Sequence, residues 1–250
     1  MPDQLFDDPD LAALYDLFSP SDGRGDFTFY LPLIMSADSV LDVGCGTGAL
    51  LHMAREQGHK GRLCGIDPAH GMLGQARTHD GIEWVLGDLA STTLEGEFDL
   101  VLMSGHAFQV FVEDSEAKTT LAAIESVLTE KGRFAFETRN PLVRAWEQWD
   151  TEYSGEVTDS TGAVVRVEVD VDVEQPSSGE NEVVRFSHTF TSSGWSQPRV
   201  SHSTLRFIDV NTLSSLLNDT GFIIEQQFGD WDRSPLTDTS PEIITIAKRA

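Results

Sequence analysis

The amino-acid sequence predicts an α/β fold, a doubly wound sheet of parallel strands that is interrupted by an antiparallel β-rich insertion. Between residues 39 and 140, short apolar strands alternate with helical stretches, which is typical of parallel strands joined by right-handed crossovers. After Pro141 the pattern changes to segments that alternate apolar and polar residues, which is typical of antiparallel strands with one wet face. A chain of 250 residues, 40% of them hydrophobic, can bury a sizeable core.

Each element of the α/β part is predicted from an apolar run bounded by turn residues. A short helical pattern and a Gly-rich loop, SDGRGD, come first, within residues 9–33. Asp209 is expected to cap a helix through Leu217, and Gly221 is expected to end it. The predicted strands are residues 39–43, 62–67, 82–86, 99–103, 132–137, 222–228 and 242–248, and the other predicted helices are residues 50–57, 71–77 and 116–128.

The insertion is predicted from strict alternation. Residues 164–174 read VVRVEVDVDVE, so the valines share one face and the acids share the other. We interpret the acidic row as a solvated sheet face rather than a metal site. The turn-rich stretch QPSSGEN leads to further strands at 183–191 and 199–208. The predicted organisation is an N-terminal segment (1–38), a core (39–151 and 208–250) and the insertion (152–207).

Composition excludes several classes of protein. The net charge of −24 disfavours nucleic acid and anionic membrane partners. Two cysteines, Cys45 and Cys64, are too few for a disulfide framework, so we expect a reducing cytoplasm. Residues 1–10 are acidic and do not resemble a signal peptide, and no apolar run approaches the length of a membrane span.

Residues 40–50, VLDVGCGTGAL, read as a strand, a glycine turn and the start of a helix. Glycines let a ligand approach the backbone closely, and in a doubly wound sheet this turn lies at the edge where cofactors bind. Gly44, Gly46 and Ala49 also fit a dinucleotide fingerprint, with Asp67 at the spacing of a ribose-binding acid. The turn by itself therefore leaves two kinds of nucleotide cofactor open.

Three acids at successive strand ends help to distinguish between the two kinds of cofactor. Asp42 precedes the glycine turn, where a carboxylate is awkward beside a pyrophosphate but suits a cofactor with an ammonium group. Asp67 could accept hydrogen bonds from ribose hydroxyls, and Asp88 from an adenine amino group. Each acid alone could be a cap or turn residue. Together they favour one cofactor site.

The stretches VLDVGCGTG, GIDPA, GDL, FDLVLMSG and LTEKGRFAFETRNP together resemble class I S-adenosylmethionine-dependent methyltransferases over residues 40–141. The resemblance implies a Rossmann-like seven-stranded sheet with an antiparallel last strand, and S-adenosyl-L-methionine as cofactor. It implies that Asp42 reaches the cofactor's amino group through a water or a backbone amide. The other implied contacts are Gly44, Cys45, Gly46 and Gly48 near the methionine part, Asp67 on ribose, Asp88, Leu89 and Met72 around adenine, and Pro68 and Ser104.

Two further parts of the chain resemble small-molecule members of that family. Tyr15-Asp16 and the stretch DFTFY, residues 26–30, are similar to a segment that folds over the cofactor as a lid, which implies that Tyr15 and Tyr30 contact the cofactor. The insertion is similar in architecture to that of bacterial sugar N,N-dimethyltransferases, without a shared residue motif. It is expected to serve the substrate or assembly into a homodimer.

Methyl transfer to nitrogen or oxygen requires an aligned nucleophile and a proton acceptor. His106, in MSGHAFQVF after the fourth strand, is the predicted catalytic base, with local packing as the alternative. Three residues are predicted to bind substrate: Gln109 (or an ordinary helix residue), Arg139 (or a structural ion pair) and Trp231 (or an exposed loop). No metal site is predicted, because the histidines are scattered.

The leading hypothesis is a cytoplasmic methyltransferase that acts on a nitrogen or oxygen of a small-molecule acceptor. One alternative is a nicotinamide-dependent oxidoreductase, against which stand Asp42 and the absence of a second nucleotide-binding half. The other is a non-catalytic subunit that binds S-adenosylmethionine and serves assembly.

Overall fold

Two sheets form the framework of the protein. The structure, a computed structural model, describes residues 2–78, 80–94, 98–174 and 181–250. The strands are β1 (Ser39–Val43), β2 (Arg62–Asp67), β3 (Glu83–Leu86), β4 (Phe98–Met103), β5 (Leu128–Arg139), β6 (Gly155–Thr158), β7 (Val164–Glu174), β8 (Asn181–Ser192), β9 (Arg199–Ile208), β10 (Phe222–Phe228) and β11 (Glu242–Arg249). The helices are α1 (Gln4–Asp7), α2 (Pro9–Phe18), α3 (Gly25–Met35), α4 (Ala49–Glu56), α5 (His70–Ala76), α6 (Asp114–Val127), α7 (Trp149–Glu152) and α8 (Val210–Asp219).

The larger sheet has the strand order β10-β11-β5-β4-β1-β2-β3. Strand β1 pairs in parallel with β2 and β4, and the parallel pairing continues to β3 and β5. Strand β11 runs antiparallel to both β5 and β10. The predicted seven-stranded sheet with an antiparallel last strand is therefore confirmed. Because β1 to β5 are parallel, their carboxyl ends meet at one edge, which is called the carboxyl edge below.

Helices cover both faces of this sheet, because neighbouring strand residues point to opposite faces. In β4, Val101 and Met103 belong to an apolar cluster with residues of α6 and α8. Leu100 and Leu102 instead belong to a cluster with residues of α3 and α4. The side chain of Asp209 caps α8 as predicted, since it accepts the N–H groups of Asn211 and Thr212.

The smaller sheet has the antiparallel order β6-β7-β8-β9. In β7, Val165, Val167 and Val169 are buried, whereas Glu168, Asp170 and Asp172 are exposed, which confirms the predicted wet face. The loop residues 175–180 of QPSSGEN lie outside the described residues. Strand β6 was not predicted, because GEVT is short and mostly exposed. The residue ranges predicted for the three units stay predictions.

The N-terminal region holds more helix than the sequence predicts. Helix α3 begins at Gly25, inside the predicted Gly-rich loop, and continues through Pro32. A Cβ at Gly25 would lie 2.5 Å from the Trp231 ring, so the close approach of that loop requires glycine. Helices α1 and α2 pack Leu5, Leu11 and Leu14 against the valine face of β7. Tertiary packing, which no local pattern reports, stabilises these helices.

No helix in the described ranges combines the length and the apolar character needed to cross a membrane.

Candidate active site

The glycine turn joins β1 to α4 at the carboxyl edge. Gly44, Gly46 and Gly48 have φ angles of +77°, +56° and +73°, a left-handed region that favours glycine. The N–H groups of Gly44 and Cys45 donate to the carbonyl of Ile66 on β2 at 2.8 and 3.2 Å. A Cβ at Gly46 would meet nothing within 4 Å, so the backbone is open to a ligand there.

Asp67, the last residue of β2, holds this turn in place. Its Oδ2 accepts the N–H of Gly46 at 2.8 Å, and its Oδ1 accepts the N–H of Ala69 at 2.8 Å. Burial raises the pKa of this carboxyl group, and the two amide donors oppose that rise. Each carboxylate oxygen keeps a second lone pair for another donor, such as a ribose hydroxyl. The predicted ribose contact stays a prediction.

Asp42 lies in β1 just before the glycine turn and is only 1% exposed. Its Oδ1 is buried without a hydrogen-bond partner in the described part of the chain. Burial raises the pKa of this carboxyl group to about 7, the charges of Asp67 and Glu137 add to the rise, and Arg24 opposes it. A buried acceptor without a donor is costly. This oxygen therefore fits a cofactor that brings a donor.

Around the predicted adenine site, Leu89 and Met72 are buried apolar residues. Asp88 is exposed and forms a turn in which it accepts the N–H of Ser91 at 2.9 Å and the hydroxyl of Ser91 at 2.5 Å. The bond from the Ser91 hydroxyl lowers the pKa of Asp88. These contacts are those of a turn residue, which is the alternative role that the sequence left open for Asp88. The contact of Asp88 with an adenine stays a prediction. Pro68 is exposed beside Asp67.

The N-terminal helices reach the same edge. The hydroxyl of Thr47, in the glycine turn, donates to Asp16 Oδ1 on α2 at 3.0 Å. Tyr15 packs on Phe6, with ring centroids 6.0 Å apart, and lies against the cluster that contains Met72. Burial raises the pKa of the Tyr15 hydroxyl. The segment that precedes β1 thus contacts the glycine turn, and its role as a lid over the cofactor stays a prediction.

Tyr30 and its neighbours on α3 show what local patterns missed. Tyr30 is fully buried, and its hydroxyl donates to Glu137 Oε2 on β5. The predicted contact of Tyr30 with the cofactor stays a prediction. Arg24 and Asp26 form an ion pair through two hydrogen bonds, and Asp26 is 7% exposed. In the sequence, this pair was indicated only by the two opposite charges in GRGD, residues 23–26.

His106 is held between two carboxylates, neither of which was predicted to belong to the site. Its backbone, with φ of +62°, donates its N–H to Glu137 Oε1 at 2.7 Å. Its ring Nε2 lies 2.9 Å from Glu242 Oε2. Burial lowers the pKa of His106, and burial raises the pKa of Glu137 and of Glu242. Glu137 in FAFETR and Glu242 in PEIITIA are acids next to apolar strand residues, and this pattern could have indicated that both belong to the site.

Strand periodicity explains why these acids meet. Glu137 shares its face of β5 with Ala135, and Glu242 shares its face of β11 with Ile244, on the side that α3 and α4 cover. Antiparallel pairing places Glu242 opposite Arg139, at the carboxyl edge. Asp42 lies on the same face, since Val40 belongs to the same cluster. The acids therefore converge beneath α3.

The predicted substrate residues have mainly protein partners. Gln109 is 1% exposed, donates to the Arg206 carbonyl at 3.2 Å and accepts Arg139 Nη1 at 3.0 Å, which favours its structural alternative. The Arg139 guanidinium also lies 5.0 Å above the Trp149 ring. Trp231 packs on α3, 6.2 Å from Tyr30 between ring centroids, rather than in an exposed loop. Ser104 is half-buried at the end of β4. Substrate contacts stay predictions.

Residues 40–132 match the family described as "Methyltransferase domain". A malonyl-[acyl-carrier protein] O-methyltransferase of Anoxybacillus flavithermus is 27% identical over 130 residues, which are 51% of this chain and 49% of that protein. A glycine/sarcosine N-methyltransferase of Parasynechococcus marenigrum is 26% identical over 230 residues, 88% of this chain and 75% of that protein. The first of these alignments spans about half the length of the relative.

Solved structures share the fold over almost the whole chain. The CcbJ methyltransferase of Streptomyces caelestis superposes with a TM-score of 0.72 at 18% identity and covers 95% of this chain and 96% of its own. CalS10, an amino pentose methyltransferase of Micromonospora echinaspora solved with S-adenosylmethionine, gives a TM-score of 0.65 at 18% identity over 95% and 97% of the two chains. The resemblance to S-adenosylmethionine-dependent methyltransferases is therefore confirmed for the fold and for residues 40–132.

Proposed function

We propose that this protein is an S-adenosylmethionine-dependent methyltransferase that acts on a nitrogen or oxygen of a small-molecule acceptor. The observation that carries the proposal is the buried Asp42 carboxylate, with one oxygen unpartnered, behind a glycine turn within the methyltransferase-domain match. A nicotinamide cofactor would place a pyrophosphate near this carboxylate, which electrostatic repulsion disfavours. Neither alternative hypothesis gains support from the fold or the relatives.

The residues at the carboxyl edge fit the cofactor. The open backbone at Gly46 admits a ligand, and the free lone pairs of Asp67 can accept hydroxyl donors. Asp42 offers the buried acceptor that a cofactor's ammonium group can satisfy through a bridging donor. Buried apolar surface for an adenine is supplied by Met72 and Leu89. When bound, S-adenosylmethionine supplies a methyl group on a sulfonium centre, ready for in-line displacement.

The chain's own residues would orient the acceptor and take up its proton. His106 lies at the carboxyl edge, fixed by Glu137 and Glu242, and is half-buried rather than enclosed. Burial lowers the pKa of His106, so the imidazole is neutral at neutral pH, the form that can accept a proton. Helix α3 covers the same edge through the Tyr30–Glu137 bond, which would exclude water from the reacting groups.

The net charge of the chain and the names of similar proteins support a small-molecule acceptor. Two sequence relatives are named for glycine/sarcosine and for malonyl-[acyl-carrier protein], and a protein of similar fold is named for an amino pentose. With a net charge of −24, this chain is suited to a small molecule and not to nucleic acid. We further propose a cytoplasmic enzyme with a lid at residues 1–38, a core at 39–151 and 208–250, and an insertion at 152–207 that serves the substrate or a homodimer.

Titration calorimetry with S-adenosylhomocysteine tests cofactor binding directly. We expect a single site per chain with micromolar or tighter affinity, and no binding of NADH at the same concentrations. The absence of S-adenosylhomocysteine binding would rule out the proposal, and quenching of tryptophan fluorescence by NADH would support the oxidoreductase instead.

Turnover is tested with methyl-labelled S-adenosylmethionine and a panel of glycine, sarcosine, amino sugars and small carboxylic acids. Transfer of label to a panel member supports the proposal. Cofactor binding without transfer to a broad acceptor panel would favour the non-catalytic subunit. Sedimentation of the purified chain then tests the homodimer.

A further inference from the structure

Glu242 is an acid in an unusual place. It begins β11, a strand whose following residues Ile243, Ile244, Ile246 and Ala247 are all buried, and it is itself only 8% exposed. Its carboxylate lies 2.9 Å from Nε2 of His106, a residue 136 positions earlier in the chain. Burying a carboxylate at a strand end is costly unless a partner repays it. The His106 ring is that partner.

Two carboxylates hold His106, one through its backbone and the other through its ring. Glu137 accepts the backbone N–H, which fits the left-handed backbone of His106. Glu242 contacts the ring itself through Nε2. In the described part of the chain the other ring nitrogen, Nδ1, has no hydrogen-bond partner, and it is not among the buried unpartnered atoms. Only Nδ1 is therefore free to exchange a proton with a ligand.

We infer that Glu242, in its ionised form, is a positioning residue that keeps the His106 proton on Nε2 and leaves Nδ1 as the nitrogen that takes a proton from the acceptor. The inference rests on the proposed methyltransferase function. The acceptor's N–H or O–H bond breaks as the Nδ1–H bond forms. The freed electron pair of the acceptor forms the new bond to the methyl carbon, whose bond to sulfur breaks with its electrons staying on sulfur. The ionised Glu242 stabilises the resulting imidazolium, which later releases its proton to water.

The charges around this pair set its pH range. Burial raises the pKa of Glu242 to about 8, Arg139 opposes the rise, and Asp230 and Asp26 add to it. Burial also lowers the pKa of His106, where Arg139 and Arg24 add to the fall and Glu137 and Asp26 oppose it. Below about pH 8 Glu242 is protonated and donates to Nε2, so the proton of the neutral ring lies on Nδ1 and that nitrogen cannot take a proton from the acceptor. Above that pH, Glu242 ionises and the ring proton moves to Nε2.

The first experiment detects the tautomer without any acceptor. Protein labelled with ¹⁵N on histidine and saturated with S-adenosylhomocysteine is titrated from pH 6 to pH 9.5, and the His106 ring signals are identified by their loss in His106→Gln. We expect the His106 proton to move from Nδ1 to Nε2 with a midpoint near 8. In Glu242→Gln, which cannot ionise, the pH-dependent change should disappear. A tautomer that is the same in both proteins at every pH would overturn the inference.

The matched control is Glu125→Gln, the same substitution in a carboxylate that pairs with Arg249 at 2.7 Å. Arg249 ends the strand that Glu242 begins, about 24 Å away along an extended strand of eight residues. This variant should keep the wild-type tautomer change. Thermal unfolding of each variant shows whether it is folded, and a Glu242→Gln protein that binds S-adenosylhomocysteine as the wild type does has an intact cofactor site.

The second experiment uses the acceptor found with the panel. At pH 9, where Glu242 is ionised, Glu242→Gln should lower kcat about tenfold to a hundredfold, the range expected for impaired general-base catalysis, with KM for S-adenosylmethionine within about twofold of wild type. In the His106→Gln background the same substitution should lower kcat less than about twofold, because Glu242 acts through His106. Losses that multiply would overturn the inference. Failure of the wild type to bind S-adenosylhomocysteine would instead remove the proposed function.

Discussion

The hydroxyl of Tyr30 on α3 donates a hydrogen bond to the carboxylate of Glu137 on β5, 107 residues further along the chain. Both side chains are fully buried. The other carboxylate oxygen of Glu137 accepts the backbone N–H of His106 at 2.7 Å. One carboxylate thus joins the helix that covers the carboxyl edge to the predicted base. The stability of the cover and the position of His106 should therefore depend on each other.

Tyr30→Phe removes the hydroxyl donor from a buried carboxylate. The loss of a hydrogen bond to a charged buried group should lower the free energy of unfolding by about 1–3 kcal/mol. Urea unfolding monitored by tryptophan fluorescence measures this difference. Tyr153→Phe is the matched control, since Tyr153 is 46% exposed and should tolerate the change. Equal stabilities of the two variants would contradict the structural role of the Tyr30 hydroxyl.

Gly46→Ala should weaken cofactor binding more than it weakens the fold. Gly46 and Gly58 both have positive φ, +56° and +93°, and a Cβ at either would meet nothing within 4 Å. Each alanine should cost about 1–2 kcal/mol of stability from backbone strain alone. Only the methyl group at position 46 would enter the open cofactor side of the turn. Calorimetry with S-adenosylhomocysteine should show a loss of tenfold or more for Gly46→Ala and wild-type affinity for Gly58→Ala.

Asp67→Asn replaces one acceptor oxygen with a donor, so the N–H of either Gly46 or Ala69 loses its partner. The turn then loses a charge-assisted hydrogen bond, worth about 1.5–3 kcal/mol, and its order. We expect affinity for S-adenosylhomocysteine to fall about tenfold to a hundredfold. Asp159→Asn, in an exposed turn where Oδ1 accepts the N–H of Thr161 at 2.8 Å, should leave affinity unchanged. Wild-type affinity in Asp67→Asn would exclude a binding role for this acid.

Asp42 should make the ligand-free protein less stable as the pH rises. Its pKa is raised to about 7 in the folded chain, against about 4 when unfolded, so the folded state binds more protons between these values. The free energy of unfolding therefore falls as pH rises from about 4 to about 7 and levels off above that.

Asp42→Asn removes this dependence. Relative to wild type, the variant should gain about 2–4 kcal/mol of stability between pH 4 and pH 8, because each pKa unit corresponds to about 1.4 kcal/mol. Urea unfolding of both proteins at the two pH values measures the gain, and other titrating groups cancel in the difference. The same variant should bind S-adenosylhomocysteine more weakly at pH 8. An equal pH dependence in both proteins would show that folding does not raise the pKa of Asp42.

The sequence by itself determined most of the framework. Hydrophobic periodicity located all seven strands of the larger sheet and the long strands of the smaller one, because it reports which residues face water and which face the core. The left-handed glycines of the turn and the acids Asp42 and Asp67 were also readable locally. Their chemistry depends on a strand end and a turn, which neighbouring residues specify.

Tertiary structure alone decided which residues surround His106. Glu242 reaches the His106 ring only because β11 inserts antiparallel between β5 and β10, an order that no local pattern specifies. Helix α3 depends on packing over the sheet, and Gln109 is held by β5 and β9 rather than offered to a ligand. Periodicity assigns a side chain to a face, whereas strand order and register assign its neighbours. The cofactor edge was therefore legible in the sequence, and the proton-transfer partners were set by the packing of distant strands.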